Sequence, residues 1–262
     1  MLTATLLFAL AGLSSFTDAA PMEKRANAKR GLAFGKNAQS KADLFDSASW
    51  GYDWEARVTD AGAYTLSKRE FVPMLHDGGA MFTAVFNTDA EAAIKAGAKN
   101  VLSINEPDQC GSGLGGACMS LQATIDTHKK YVQPLATKYP NVRIGSPAIT
   151  NSDGASSGIN FLKSFLSGCS DCRIDFVATH WYNGGDIEAF KKYLTNVHNQ
   201  AKKNVWLTEF AAPDAVADKA KFMKDAMTWM DGQAWIERYA YMSVDSTLTQ
   251  GSVLSALGKA YA

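Results

Sequence analysis

Two glutamates are placed where paired carboxyl chemistry could be done. Asn105-Glu106-Pro107-Asp108 follows the apolar run 101–104, and Thr208-Glu209-Phe210 follows Val205-Trp206-Leu207. Each glutamate ends an apolar strand pattern and comes after a polar residue, Asn105 or Thr208, able to orient it or a substrate hydroxyl. Pro107 has no N–H to give and disfavours helix in the residue before it, so the chain must leave the strand there and the Glu106 carboxyl is aimed. Two carboxyls facing one cleft are the equipment for splitting a glycosidic bond: one protonates the leaving oxygen while the other attacks the anomeric carbon or activates water.

The elements that would position this pair can be read from short runs that are apolar on both faces, the pattern of parallel strands buried on each side. Such runs fall at 32–35, 71–75, 101–105, 143–148, 176–182, 205–210 and 238–243, and an eighth fits at 49–54. Between them lie helical spacings: Leu121, Ile125, His128, Val132 and Leu135; Ile187, Phe190, Leu194 and Val197; and Phe222, Ala226, Met227 and Met230. Helices of the first third are weakly marked. Strand and helix alternate with a period suited to βα units, which predicts a single α/β domain, a (β/α)8 TIM barrel. On that count Glu106 and Glu209 end strands four and seven, at the C-terminal face where barrel active sites sit. A doubly wound open sheet is the alternative; it lacks a Gly-x-Gly-x-x-Gly turn after Leu32.

Composition bounds the rest. The 262 residues carry 26 basic and 26 acidic side chains, so no net positive field exists to drive nucleic-acid binding. Residues 1–20, with an apolar stretch at 6–13 and Ala19-Ala20 before Pro21, predict a secretory leader too short to span a bilayer. Lys24-Arg25 and Lys29-Arg30 read as dibasic processing sites in a pro-segment over 21–30, leaving a catalytic domain over 31–262. The C-terminal residues 252–262 have no hydrophobic tail of the kind an anchor signal requires. The expected product is a secreted monomer, extracellular or in the cell wall. Four cysteines form two close pairs, Cys110 with Cys118 and Cys169 with Cys172, which in an exported chain favours disulfides; a zinc site is the rival reading. No cofactor or metal is expected, since His76, His128, His180 and His198 are scattered and neither His-Glu-x-x-His nor Gly-x-Ser-x-Gly occurs.

His180 and Tyr182 are two apart on the sixth strand and share a face, where they could orient a carboxyl or touch a sugar. Trp50, Trp54, Trp181 and Tyr241 are candidates for stacking on pyranose rings, Trp54 and Trp181 foremost. Trp206, Trp229 and Trp235 are expected in the core, and His128, on an apolar helix face, is expected to be a hydrogen-bonded core histidine.

Seven motifs in order carry a resemblance: Lys29-Arg30-Gly31-Leu32-Ala33, Phe71-Val72-Pro73-Met74-Leu75, Asn105-Glu106-Pro107-Asp108, Gly145-Ser146-Pro147-Ala148, Thr179-His180-Trp181-Tyr182, Trp206-Leu207-Thr208-Glu209-Phe210-Ala211 and Glu237-Arg238-Tyr239-Ala240-Tyr241. With them the chain resembles glycoside hydrolase family 128, secreted fungal endo-β-1,3-glucanases. Asn-Glu-Pro alone marks only the wider 4/7 superfamily of barrel glycosidases; the Trp-Leu-Thr-Glu-Phe-Ala run beside His-Trp-Tyr narrows it. The resemblance implies β-1,3-glucan as substrate and a retaining mechanism, with Glu106 as acid/base, Glu209 as nucleophile and Asn105 bonding the sugar near its 2-hydroxyl. The non-enzymatic alternative is a β-glucan-binding barrel that has lost catalysis.

Overall fold

Eight parallel strands run around one axis: β1 Asn27–Ala33, β2 Ala48–Tyr52, β3 Glu70–Phe71, β4 Asn100–Val101, β5 Arg143–Ile149, β6 Phe176–Trp181, β7 Val205–Phe210 and β8 Ile236–Tyr241. This computed structural model describes residues 27–35, 38–59 and 61–262. The expected leader and the dibasic pair Lys24-Arg25 lie outside the described residues. The sheet order β3-β2-β1-β8-β7-β6-β5-β4 is closed by a parallel bridge between Met74 and Leu102, so the eight strands form a (β/α)8 barrel.

Each strand coincides with one of the eight apolar runs, but β3 and β4 are shorter than their runs. Pro73 cannot donate to a ladder, and beyond β3 and β4 pairing continues as the single bridges Met74 to Leu102 and Asn105 to Ala148. On β5 the register shifts between Gly145 and Ala148, around Pro147, and there the Ser146 hydroxyl accepts from the Ala178 N–H at 3.0 Å.

Helices α1 Ala38–Ala42, α2 Ala80–Lys95, α3 Leu121–Thr127, α4 Gln133–Lys138, α5 Gly158–Gly168, α6 Ile187–Ala201, α7 Lys219–Asp231 and α8 Ala256–Tyr261 surround the barrel. Between β2 and β3 the described residues contain no helix, only turns pinned by the bridges Val58 to Ala63 and Leu66 to Arg69. The continuous helix expected over 121–135 is interrupted by a π-helical turn, His128–Val132, just ahead of Pro134, whose missing N–H cannot close the regular ladder.

Two apolar layers hold the fold. Trp206 faces inward while Val205 and Leu207 face the helices, as strand alternation demands. Inside, Phe176 stacks on Trp206 with centroids 4.0 Å apart, and Trp50 lies 5.2 Å from Trp206. The Arg238 guanidinium caps this stack 4.5 Å from Trp206 and pairs with Glu70 at 2.5 Å, plugging the N-terminal end. Rings this large fit only because the neighbouring backbone is bare: a Cβ on Gly31 would lie 2.1 Å from the Trp50 indole.

Strand β1 starts ahead of the expected domain start at 31, and the pair Lys29-Arg30 lies within it. Lys29 Nζ donates to the carbonyls of Met230, Asp231 and Gln233 at 2.9, 3.0 and 2.7 Å, capping the C-terminus of α7. Arg30 bonds the Tyr261 carbonyl at 2.6 Å and Ser47 Oγ at 3.0 Å. Both side chains of the pair Lys29-Arg30 are thus held within the folded barrel. The cysteines form the disulfides Cys110–Cys118 and Cys169–Cys172.

Candidate active site

At the end of strand four the chain turns sharply. Asn105 N donates to His76 O at 2.9 Å and Glu106 N to Ala148 O at 2.8 Å, so the backbone is held by both neighbouring strands up to Glu106 itself. Glu106 then adopts φ +42°, a left-handed conformation that costs an L-residue about 1–2 kcal/mol. Pro107 follows, and Asp108 fixes the exit by accepting from Thr150 Oγ1 at 2.6 Å and Gly158 N at 2.7 Å.

Glu209 reaches the barrel mouth by a different device. Thr179 pairs with Leu207 and His180 with Glu209, so β7 carries one extra residue, Thr208, opposite a single step of β6. Plain alternation would send Glu209 to the helix side with Leu207. The bulge breaks the alternation and lets Thr208 and Glu209 both address the interior.

Between the glutamates stands His180, fully buried. Its Nδ1 lies 2.7 Å from Glu106 Oε1 and 3.5 Å from Glu209 Oε2, and its Nε2 lies 3.0 Å from Thr208 Oγ1. Burial alone would lower the imidazole's pKa, but the charges of Glu209 and Glu106 outweigh it and hold the value above the ordinary one. Both ring nitrogens are engaged, Nδ1 with Glu106 and Nε2 with Thr208. Glu209 accepts from Trp54 Nε1 at 2.8 Å and from the Tyr182 hydroxyl. Burial and the adjacent Glu209 push the Tyr182 phenol far up, so it is a permanent donor.

Trp54 itself sits at φ +63°. Its loop is stapled by Asp53, which accepts from Thr59 N at 2.8 Å, Thr59 Oγ1 at 3.1 Å and Glu55 N at 3.3 Å. Burial pushes Asp53 up to about 7 in spite of those bonds. Strained backbone at both Glu106 and Trp54, the two sides of one pocket, is the pattern expected where geometry serves chemistry.

The pocket has a volume of about 620 Å³ and is lined by Asn105, Glu106 and Glu209 together with Trp54 and Tyr182. Asn105 donates Nδ2 to Gly115 O at 3.2 Å, while its buried Oδ1 has no protein partner. A larger groove of about 920 Å³ lies along α6, lined by Asn151, Tyr193 and Trp229, and contains neither glutamate. Converging titratable groups, not size, mark the smaller one as the candidate site.

A family model described as the glycosyl hydrolase catalytic core matches residues 31–261. A crystal structure of a glycoside hydrolase family 128 subgroup III curdlan-specific exo-β-1,3-glucanase from Blastomyces gilchristii is 36% identical, covers 89% of this chain and 97% of its own, and superposes with a TM-score of 0.77. The chain belongs to glycoside hydrolase family 128. A subgroup I endo-β-1,3-glucanase of the same family from Amycolatopsis mediterranei, solved with laminaripentaose, is 29% identical over 90% of this chain and 98% of its own, with a TM-score of 0.71. Among curated proteins, Alkali-sensitive linkage protein 1 of Schizosaccharomyces pombe is 29% identical over 236 residues, 85% of this chain. The chain spans 40% of that protein's length.

In this family 128 barrel the structure gathers Asn105, Glu106, Glu209, Trp54, His180 and Tyr182 at one mouth. Trp181 and Tyr241 lie elsewhere. Strand alternation that turns His180 inward turns Trp181 outward, where it is 2% exposed and packs edge-on against Phe190 of α6 at 5.5 Å. Tyr241, 1% exposed, packs against Phe210 at 4.9 Å and its hydroxyl accepts from Ala212 N, so neither ring lines the pocket that holds the glutamates. Trp50 is likewise interior. Glu55, His76, Gln109, Leu114 and Met242 line the pocket without having been singled out in the sequence, because they come from four different loops and no short motif joins them.

Among the described residues, two groups of side chains come close enough to hold a metal ion: His128 with Cys169 and Cys172, and Glu106 with His180 and Glu209. The first is spent as a ligand set, since both sulfurs are in a disulfide. In the second, hydrogen bonds from Trp54 and Tyr182 and the bond to Thr208 already engage the same carboxyl and imidazole atoms.

Proposed function

We propose that this chain hydrolyses β-1,3-glucan with retention of configuration, with Glu106 as acid/base and Glu209 as nucleophile. The observation that carries the reading is the convergence of one oxygen from each glutamate and one nitrogen of His180 to within 4.8 Å of one another. Retaining enzymes hold their carboxyls about 5–5.5 Å apart, whereas inverting ones need roughly 6.5–9.5 Å to admit a water between nucleophile and sugar. The carboxylate of Glu209 attacks the anomeric carbon as Glu106 hands a proton to the departing glycosidic oxygen. Water, deprotonated by Glu106, then displaces Glu209 and restores both groups. Trp54 and Tyr182 orient Glu209 for attack, His180 spaces the two carboxyls, and the open amide oxygen of Asn105 accepts a sugar hydroxyl.

The polymer is inferred from the family 128 relatives, whose described activities are on β-1,3-glucans. Internal cleavage is our reading, in line with the endo-acting relative that binds laminaripentaose. Exo-action is the second reading, favoured by the curdlan-specific exo-enzyme at 36% identity. Export is supported by the two disulfides, which persist in oxidising compartments, and we read residues 1–20 as its leader. Both carboxyls come from one chain, so a monomer suffices.

The test is reducing-sugar release and product sizing on linear β-1,3-glucan, with cellulose and mannan as controls, for wild type, Glu106→Gln and Glu209→Gln. Short oligosaccharides from the β-1,3 chain alone, with both variants folded and reduced about 10³-fold or more, uphold the reading. Glucose as the sole early product moves it to exo-action. Binding without hydrolysis by wild type replaces it with the glucan-binding alternative.

A further inference from the structure

The loop after Glu106 is folded back onto it. Gln109 N donates to Glu106 O at 3.1 Å, Ala117 N to Asn105 O at 2.8 Å and Met119 N to Pro107 O at 2.9 Å, and the Cys110–Cys118 disulfide closes the loop at its neck. Gly113 at φ +77° and Gly115 at φ +80° give it turns that other residues resist. Gly116 lies so close that a Cβ there would come within 2.7 Å of Gln109 O and 3.0 Å of Glu106 O. This loop is a stiff bracket built on the same residues that carry the acid/base.

Gln109 projects from the bracket into the pocket. Its amide nitrogen lies 2.7 Å from Glu106 Oε2 and 2.9 Å from Leu114 O, in the orientation that the Leu114 carbonyl decides, since a carbonyl has no hydrogen to give. The two amide hydrogens are thus fully used, one on the carboxyl and one on the bracket. Glu106 Oε1 is held from the other side by His180 Nδ1 at 2.7 Å. With one neighbour on each oxygen, rotation of the carboxyl about its last bond is blocked, and one lone pair of Oε2 is left for the proton that moves.

We propose that Gln109, anchored by the disulfide-closed loop to the Leu114 carbonyl, is the positioning residue that fixes the Glu106 carboxyl for proton transfer to the leaving group. The inference rests on the assignment of Glu106 as acid/base. A donor fixed on Oε2 orients the acid, and that matters only for substrates whose leaving group needs a proton.

The experiment compares wild type, Gln109→Met, Gln109→Glu and Glu106→Ala on two substrates: a laminari-oligosaccharide, whose leaving group is a sugar alcohol, and a laminaribioside of a dinitrophenol, which departs without help. Gln109→Met is expected to lose about tenfold in kcat/KM on the oligosaccharide and less than threefold on the aryl substrate, with its alkaline activity limb about one pH unit higher. Gln109→Glu, of the same size, puts a second carboxyl against Oε2 and is expected to move that limb further up. Equal losses on both substrates, or an unmoved limb in both variants, would overturn the proposal. Glu106→Ala separates the two readings: if it fails to discriminate between the substrates, the acid/base assignment itself is wrong. If it discriminates and the Gln109 variants do not, only the role of Gln109 falls.

Discussion

His128 gives the sharpest test of how this barrel is held together, because its tautomer is dictated by its neighbours. Gln133 Oε1 accepts from Arg173 N at 2.9 Å and its Nε2 donates to Arg173 O at 3.1 Å, which leaves a second Nε2 hydrogen facing His128 Nε2 at 2.7 Å. His128 Nε2 must therefore accept, so Nδ1 carries the proton and donates to Ser103 Oγ at 2.8 Å. Protonating Nε2 would set two N–H groups against each other in a site with no exposure, beside the edge of Phe165. Burial accordingly pushes the pKa down to about 3. An unfolded histidine binds its proton near pH 6.5, so below that pH the unfolded chain takes up a proton that the fold refuses. Stability is thus complete above about pH 6.5, falls as pH drops, and stops falling near 3; between about pH 7.5 and pH 4 this group alone removes about 3 kcal/mol. Urea unfolding at both pH values would measure it, with His128→Gln as the partner, since glutamine offers an acceptor to Gln133 and does not titrate. The variant is expected to be about 1 kcal/mol less stable near neutrality, for loss of the Ser103 bond, yet to lose about 3 kcal/mol less on acidification. If the two proteins lose the same amount within about 1 kcal/mol, the buried neutral histidine is not what the acid attacks.

Two further outcomes follow from the contacts. Trp54→Phe keeps a ring against Tyr52 but removes the donor on Glu209, and kcat/KM is expected to fall about tenfold to a hundredfold with little change in melting temperature; activity within twofold of wild type would show that Tyr182 alone suffices. Glu237 sits at the opposite end of the barrel and accepts from Arg143 at 2.7 and 3.0 Å, Asn204 at 2.6 Å and Trp206 Nε1 at 2.9 Å, tying β5, β7 and β8 together. Glu237→Gln is expected to cost about 1–3 kcal/mol in urea unfolding, discounted for the partly exposed Arg143, and to leave kcat unchanged.

Much of the barrel is legible in the chain because burying a strand on both faces leaves a compact apolar run, and eight such runs recur. The glutamates at the ends of the fourth and seventh could be singled out for the same reason: a charge terminating an apolar run must lie where the strand meets water or a partner. Helix α2 was harder to see, since the apolar Met81 and Val85 are exposed while Asp89 is buried, which blurs the periodicity, and so was the π-helical turn at His128, which depends on a proline two residues beyond its end.

The amino-acid sequence by itself determined the alternation of strand and helix, the pairing of nearby cysteines and the presence of two carboxyls at one face, all consequences of local pattern and chain length. Only the tertiary structure decided which side chains face the cleft. The extra residue at Thr208 turns Glu209 inward, and alternation sends Trp181 into the helix layer while Tyr182 reaches Glu209. It also decided that Lys29 and Arg30 belong to the fold. Register, bulges and the meeting of loops such as 110–118 depend on which strands lie side by side, and a single residue of phase reverses a side chain's face, so no local reading of composition could fix them.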